Sequence, residues 1–185
     1  MAKTLILHRH SDKAPDGEHI SKAGLEKAQA YGNMCYRGKV VNHLFYSPFV
    51  RTVETATAMR LDNQAFDAVV MHEPMFGLGS EEAFIVMATA EFKSAVTTGA
   101  SNLDALSIHK DERYRMFLDE GFQALRAMFA QMGEGELGVG VFHDPLISLI
   151  ARHLGYSEAR SLEEMEAIVF MMNSYGGIKA KPLVD

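Results

Sequence analysis

The chain has no tryptophan, a single cysteine and only five prolines in 185 residues, and its 18 Lys and Arg are outnumbered by 24 Asp and Glu. Cys35 therefore has no partner for an internal disulfide, and no second thiolate exists for a cysteine-ligated metal cluster. A net charge of −6 argues against a surface that coats a polyanion, because nucleic-acid binders present a basic face. It leaves room for one small basic pocket. Long apolar runs are missing too. The N-terminal MAKTLILHRH is too short in apolar residues for a signal peptide, and no apolar stretch of about 18 residues follows. A cytoplasmic protein without membrane or nucleic-acid partners is expected. Repeats, low-complexity tracts and Pro/Gly linkers are also lacking, and this length suits about one domain. With 48% hydrophobic and 23% charged residues, the composition is that of a folded globular chain.

What is present is an alternation of apolar, β-rich runs with helical patterns. Lys3–Leu7 reads as a buried strand, and Ser21 opens a helix (SKAGLEKAQAYGNM) with Leu25, Ala28 and Met34 as its inner side. Val40–Tyr46 is a second strand. It ends in Ser47-Pro48, a pair suited to the N-cap and first position of a helix over about Pro48–Leu61, with Val50, Val53, Ala56 and Met59 inward. Phe66–Met71 reads as a third strand. Ser80-Glu81-Glu82 reads as a helix start, continued by Phe84, Met87, Ala88, Phe92 and Ala95. A long helix carries Leu118, Phe122, Leu125, Phe129 and Met132; Val139–Phe142 is an internal strand, Pro145–Leu154 a helix and Ala167–Met172 a buried strand. The GGIK turn after Tyr175 suggests an edge hairpin. The fold class expected is α/β: a single three-layer α/β/α domain over residues 1–185, with a mostly parallel sheet of five to six strands and a helical insertion at about 78–133. A (β/α)₈ barrel, which needs roughly 250 residues, is excluded.

Ligand sites in open α/β sheets lie beyond the carboxyl ends of strands. The first strand ends in His8-Arg9-His10-Ser11-Asp12, the second in Ser47-Pro48 with Arg51 a few residues on, the third in His72-Glu73, and the 139–142 strand in His143-Asp144-Pro145. Each residue alone has a plainer reading, as a hydrogen-bonded structural His, a solvated Arg, a loop Glu or a helix cap. The coincidence at four strand ends is what points to an anion site. Arg offers planar paired donors that match phosphate oxygens, and a helix start adds free N–H groups. A metal site is the chemical competitor, since His8-x-His10, Asp12, His72 and His143-Asp144 supply N and O donors. Arg9 wedged between two His is ill suited to a cation.

The same residues resemble the signatures of the histidine phosphatase (phosphoglycerate mutase-like) superfamily, in order along the chain. LHRHS is similar to its RHG signature, ISKAGLEKA to its LTxxGxxQA helix start, and YSPFVRTVETA to its SSPLxRxxxTA segment. HEPMFG fits the spacing of its general-acid segment, and VGVFHDPLISLIARHLG looks like its second-histidine strand and helix. These blocks span residues 3 to about 155. The resemblance implies a phosphohistidine formed on His10, oxygens held by Arg9, Arg51 and His143, and a carboxylic acid at Glu73, with Glu81, Glu82 and Asp144 as alternatives. Ser11 and Ser47 are expected to touch the phosphate. No cofactor is implied.

Ser11 stands where the family usually has Gly, and Asp144 follows the second His where mutase relatives carry a small residue. HDP and RHSDKA look closer to the short phosphohistidine-phosphatase branch. An acid beside the pocket favours a phosphomonoester or phosphoprotein over a bisphosphate. The expected activity is thus a metal-independent phosphatase acting on a phosphorylated small molecule or phosphoprotein. A phosphomutase and a phosphate-binding module without turnover are the alternatives. Substrate choice falls to Gly77–His109, where no motif is legible. Tyr114, Arg113 and Arg115 read as a solvated helix face or a pocket rim.

Overall fold

A computed structural model describes residues 1–72, 89–108 and 112–183. The elements run β1 (Lys3–Arg9), α1 (Lys22–Cys35), β2 (His43–Tyr46), α2 (Val50–Arg60), a 3₁₀ turn (Gln64–Phe66), β3 (Val70–Met71), α3 (Ala90–Thr97), α4 (Asn102–Ile108), α5 (Glu112–Ala130), β4 (Leu137–Phe142), α6 (Leu146–His153), β5 (Ala167–Met172) and β6 (Ile178–Pro182). The strands form one mixed sheet in the order β3-β2-β4-β1-β5-β6. The β3, β2, β4 and β1 pairings are parallel; β5 runs antiparallel to β1, and β6 antiparallel to β5. The expected α/β class, the sheet of five to six strands and the edge hairpin are all found.

Side-chain alternation along β1 sends Leu5 and Leu7 to one face and Ile6 to the other, as the pleat requires. The Leu5/Leu7 face packs with α3 to α6 through Phe92, Leu106, Leu125, Phe129, Leu149 and Ile150. The Ile6 face packs with α1 and α2 through Ala28, Tyr36, Ala56 and Met59. Covering both faces explains why the strands read as continuous apolar runs. No helix among the described residues is long and apolar enough to cross a membrane.

Local readings need correction in five places. Val50, expected inward on α2, is 45% exposed, and Tyr114, read as a solvated face or a pocket rim, is buried in the core. Leu25 and Met34 are 43% and 62% exposed, and α1 instead buries Gly24, Ala28 and Gly32. A stripe of small residues lets α1 approach so closely that a Cβ on Gly32 would lie 2.3 Å from the Met59 carbonyl oxygen. Ser47-Pro48 does not cap α2; Phe49 is the N-cap, and its side chain makes no capping hydrogen bond. Only Val70–Met71 of the Phe66–Met71 run is a strand, because the Asn63 side chain accepts from the Ala65 N–H and starts a 3₁₀ turn. The helix start at Ser80, with Glu81, Glu82, Phe84 and Met87, lies outside the described residues.

Candidate active site

Three parallel strands release the chain at one height. The Ser47 N–H after β2 donates to the Val141 carbonyl, and the His10 N–H after β1 donates to the Phe142 carbonyl, which brings His10, Ser47 and His143 together. The His10 and His143 rings meet edge to face, 5.2 Å between centroids. The turn after His10 is fastened from both helices. Ser11 N–H donates to Thr55 Oγ1 of α2 at 3.1 Å, and Ser11 Oγ donates to the Gly24 carbonyl of α1 at 2.8 Å. A Cβ on Gly24 would lie 2.5 Å from the Asp12 carbonyl oxygen, so only glycine lets α1 come this near.

His10 is buried, and its Nδ1 sits 2.8 Å from the Ser11 carbonyl oxygen. A carbonyl only accepts, so Nδ1 carries the hydrogen and the lone pair is on Nε2. Nε2 meets no hydrogen-bond partner among the described residues. Burial pushes the His10 pKa down to about 4, opposed by the Ser11 bond and helped by Arg51, Arg9 and Lys13. At neutral pH the ring is therefore uncharged, with the electron pair of Nε2 available.

Arg51, on the first turn of α2, lies against this pair. Nη1 donates to the Gly17 carbonyl at 3.2 Å and Nη2 to His143 Nδ1 at 3.4 Å, while the guanidinium covers the Phe49 ring at 5.3 Å. Arg51 Nε is buried and finds no hydrogen-bond partner among the described residues. An unpaired buried donor costs about 1–3 kcal/mol, more when charged, and marks a place for an acceptor. Burial lowers the Arg51 pKa, and it holds that of His143 well below the ordinary value, with Arg51, His10, Lys13 and Arg9 adding to the effect. Two uncharged imidazoles thus lie within electrostatic reach of Arg51, Arg9 and Lys13, a combination chemically able to hold a small anion.

The remaining sequence-derived residues fall into distinct places. Arg9 has electrostatic reach to His10, but it donates to the Leu162 carbonyl at 2.5 Å and pairs with Glu164 at 2.9 Å. Ser11 and Ser47 are both fully buried. The Ser11 hydroxyl is committed to Gly24, and that of Ser47 touches His143 and Thr52, so both stand behind the pocket. Glu73, Glu81 and Glu82 lie outside the described residues. The Asp144 carboxyl accepts from Ser148 Oγ at 2.5 Å and from the Leu162 backbone, tying the start of α6 to the chain near Arg9. Burial raises its pKa to about 6.

His72 is not in the pocket. The two-residue β3 pairs with the first residues of β2, so His72 leaves the sheet short of its edge; it stacks on Phe45 at 4.2 Å and bonds to His43 at 2.8 Å. His8 is equally apart. Its Nδ1 donates to the Met165 carbonyl at 2.9 Å and its Nε2 accepts from the Tyr36 hydroxyl at 2.5 Å, so His8 and His10 do not chelate as a pair. Among the described residues, no three His, Cys, Asp or Glu side chains converge as metal ligands.

Three participants were not singled out from sequence. Lys13 is a third cation, with electrostatic reach to His10, His143, Arg9 and Arg51. Its signal was its place three residues after His10, in the same turn. Thr52 and Thr55 are fully buried on α2, where polar residues on the inner face of a helix betray a hydrogen-bonding duty.

No protein-family model matches the sequence, and no curated protein matches it. Solved structures do. A phosphoglycerate mutase from Bacillus anthracis superposes with a TM-score of 0.65 at 14% identity, covering 98% of this chain and 92% of that one. The alpha-ribazole phosphatase from Shigella flexneri gives 0.61 at 16% identity, with 98% and 95% covered. The protein histidine phosphatase SixA, complexed with tungstate, gives 0.55 at 11% identity, with 96% and 94% covered. These structures are of histidine phosphatase superfamily members, and the chain has their fold.

Proposed function

We propose that this chain, on a histidine phosphatase fold, is a metal-independent phosphatase that hydrolyses a phosphomonoester or phosphoprotein through a phosphohistidine on His10. The observation that carries the reading is the His10 ring, whose Nδ1–H is fixed on the Ser11 carbonyl beside the unpaired Nε of Arg51. Nε2 attacks phosphorus as the P–O ester bond breaks, and the leaving oxygen takes a proton from a carboxylic acid, for which Glu73 is the proposed donor. Water then attacks phosphorus and gives a proton to the carboxylate left on the donor, which restores the acid, while the N–P bond breaks and its electron pair returns to Nε2. Arg51, His143, Arg9 and Lys13 oppose the charge spreading over the equatorial oxygens, the dominant contribution in phosphoryl transfer.

The charge of the pocket supports a monoester. Three cations, one of them paired with Glu164, lie within electrostatic reach of His10. That balance suits one dianion better than two. Hydrolysis of an aryl phosphate in the presence of a chelator, with His10→Ala lowering kcat at least a thousandfold, is the expected result. Activity that tolerates His10→Ala overturns the proposal. Phosphoglycerate isomerisation without net phosphate release makes the chain a mutase instead.

A further inference from the structure

Behind His143 runs a chain of buried hydrogen bonds whose directions are fixed by chemistry. Thr52 Oγ1 lies 2.8 Å from the Ser47 carbonyl oxygen and 2.7 Å from that of Phe49. Both are acceptors, so the single Thr52 hydroxyl proton points to them, and Oγ1 can only accept from Ser47 Oγ at 2.9 Å. Ser47 Oγ, its own proton so directed, accepts from His143 Nε2 at 3.1 Å. On the other side of the ring Arg51, which only donates, approaches Nδ1 at 3.4 Å. The links among the described residues agree: Nε2 carries the hydrogen, and Nδ1, carrying none, accepts from Arg51. Ser47 and Thr52 are 0% exposed and His143 is 5% exposed, so water does not scramble the order.

We infer that Thr52 is a positioning residue which, through Ser47, holds His143 in the Nε2–H form, so that an anion entering the pocket is bound together with one proton taken up on His143 Nδ1. A bare Nδ1 would set a lone pair against a phosphate oxygen. Protonation turns that repulsion into a charge-assisted hydrogen bond, and a dianion favours it. The proton-uptake half rests on the phosphate-site reading; the tautomer half does not.

The test has two readouts. Long-range ¹H–¹⁵N spectra of the ring report the tautomer directly. Wild type and Thr52→Ser are expected to show neutral His143 with Nε2–H. In Thr52→Val the Ser47 proton is free to turn to Nε2, and the Nε2–H form, held from Nδ1 by Arg51, is expected to lose population to Nδ1–H. Sulfate, whose charge is constant between pH 5 and 9, is then titrated. Its affinity is expected to fall about tenfold per pH unit in wild type above the titration of bound His143, and much less in Thr52→Val. Among the described residues, Arg51, His10, Lys13, Arg9 and the Phe49 ring act on His143 and are common to both proteins, so the difference reports His143. Neutral His143 with Nδ1–H in wild type, which needs no variant to fold, overturns the assignment. Identical sulfate profiles in wild type and a folded Thr52→Val overturn the coupling. Loss of aryl phosphate hydrolysis alone, with the tautomers as expected, would count against the phosphatase reading and leave this one standing.

Discussion

His8 and His10 show how little separates a structural imidazole from a reactive one. Both are buried, both carry their hydrogen on Nδ1 against a backbone carbonyl, and burial depresses both to a pKa of about 4. The difference is the other nitrogen, closed on Tyr36 in His8 and without a hydrogen-bond partner among the described residues in His10, whose ring lies within electrostatic reach of three cations. Arg51 is the residue that gives the pocket its directional donors, because its guanidinium bridges Gly17 and His143 and still presents Nε. Lysine would keep the charge but lose the fork and the Nε donor. With hydrogen bonds to charged groups worth about 1.5–3 kcal/mol, Arg51→Lys is expected to lower kcat/KM for an aryl phosphate by roughly 10- to 150-fold. Steady-state kinetics check this. A change of less than about twofold would place the phosphate elsewhere, since even one weak net hydrogen bond of about 0.5–1.5 kcal/mol exceeds it.

The meeting of α1 and α2 sets the distance across which the site is assembled, since α1 supplies the Gly24 carbonyl for Ser11 while α2 carries Arg51, Thr52 and Thr55. Alanine in a helix is ordinarily favoured over glycine by about 1 kcal/mol. At Gly32 that preference is reversed, because the atom in the way, 2.3 Å from the added Cβ, is Met59 backbone oxygen and has no rotamer to swing. Gly32→Ala is expected to destabilise the fold by about 1–3 kcal/mol, read as a lower midpoint in urea. An unchanged or higher midpoint would show that the helices shift freely. The same pairing marks what was legible in the sequence. His10, Arg51 and His143 were found because strand ends and family-like motifs announce them. The inner face of α1 was not, because hydrophobicity points to Leu25 and Met34, whereas contact is made by residues chosen for being small. The 64–66 turn escaped for a related reason, since Phe66 is apolar enough to join the strand pattern while Asn63 bends the backbone. Ser11 and Ser47 were expected to touch the phosphate, whereas their hydroxyls are engaged by Gly24 and by Thr52 and His143, neighbours from other elements that spacing does not bring together.

Across the whole molecule, the acidic chain gathers cations at one point and burial keeps the histidines there uncharged, which makes folding stability depend on pH. His8 and His10 titrate at about 4 when folded and near 6.5 when unfolded, so between those values the unfolded chain binds more protons. Stability therefore rises with pH through that window and is lost as pH falls from about 6.5 towards 4, by on the order of 3 kcal/mol for each such histidine. His143, held well below its ordinary value by burial, acts in the same direction. Asp144 acts in the opposite one. Its folded pKa of about 6 lies above the usual carboxyl value, so the folded state binds the extra proton and gains stability as pH falls towards 4. Four lowered histidines, His72 among them, against Asp144 and a raised His19 leave a net loss in acid. Urea unfolding at pH 7.5, 6.0 and 4.5 is expected to give a falling midpoint, steepest over the last interval, with little change above pH 7 from these groups. His8→Gln, which removes the His8 contribution without touching the pocket, is expected to flatten the curve even where it lowers overall stability. A midpoint that holds or rises on acidification would mean that the His8 and His10 rings are charged in the folded protein, and a charged His10 has no electron pair with which to attack phosphorus.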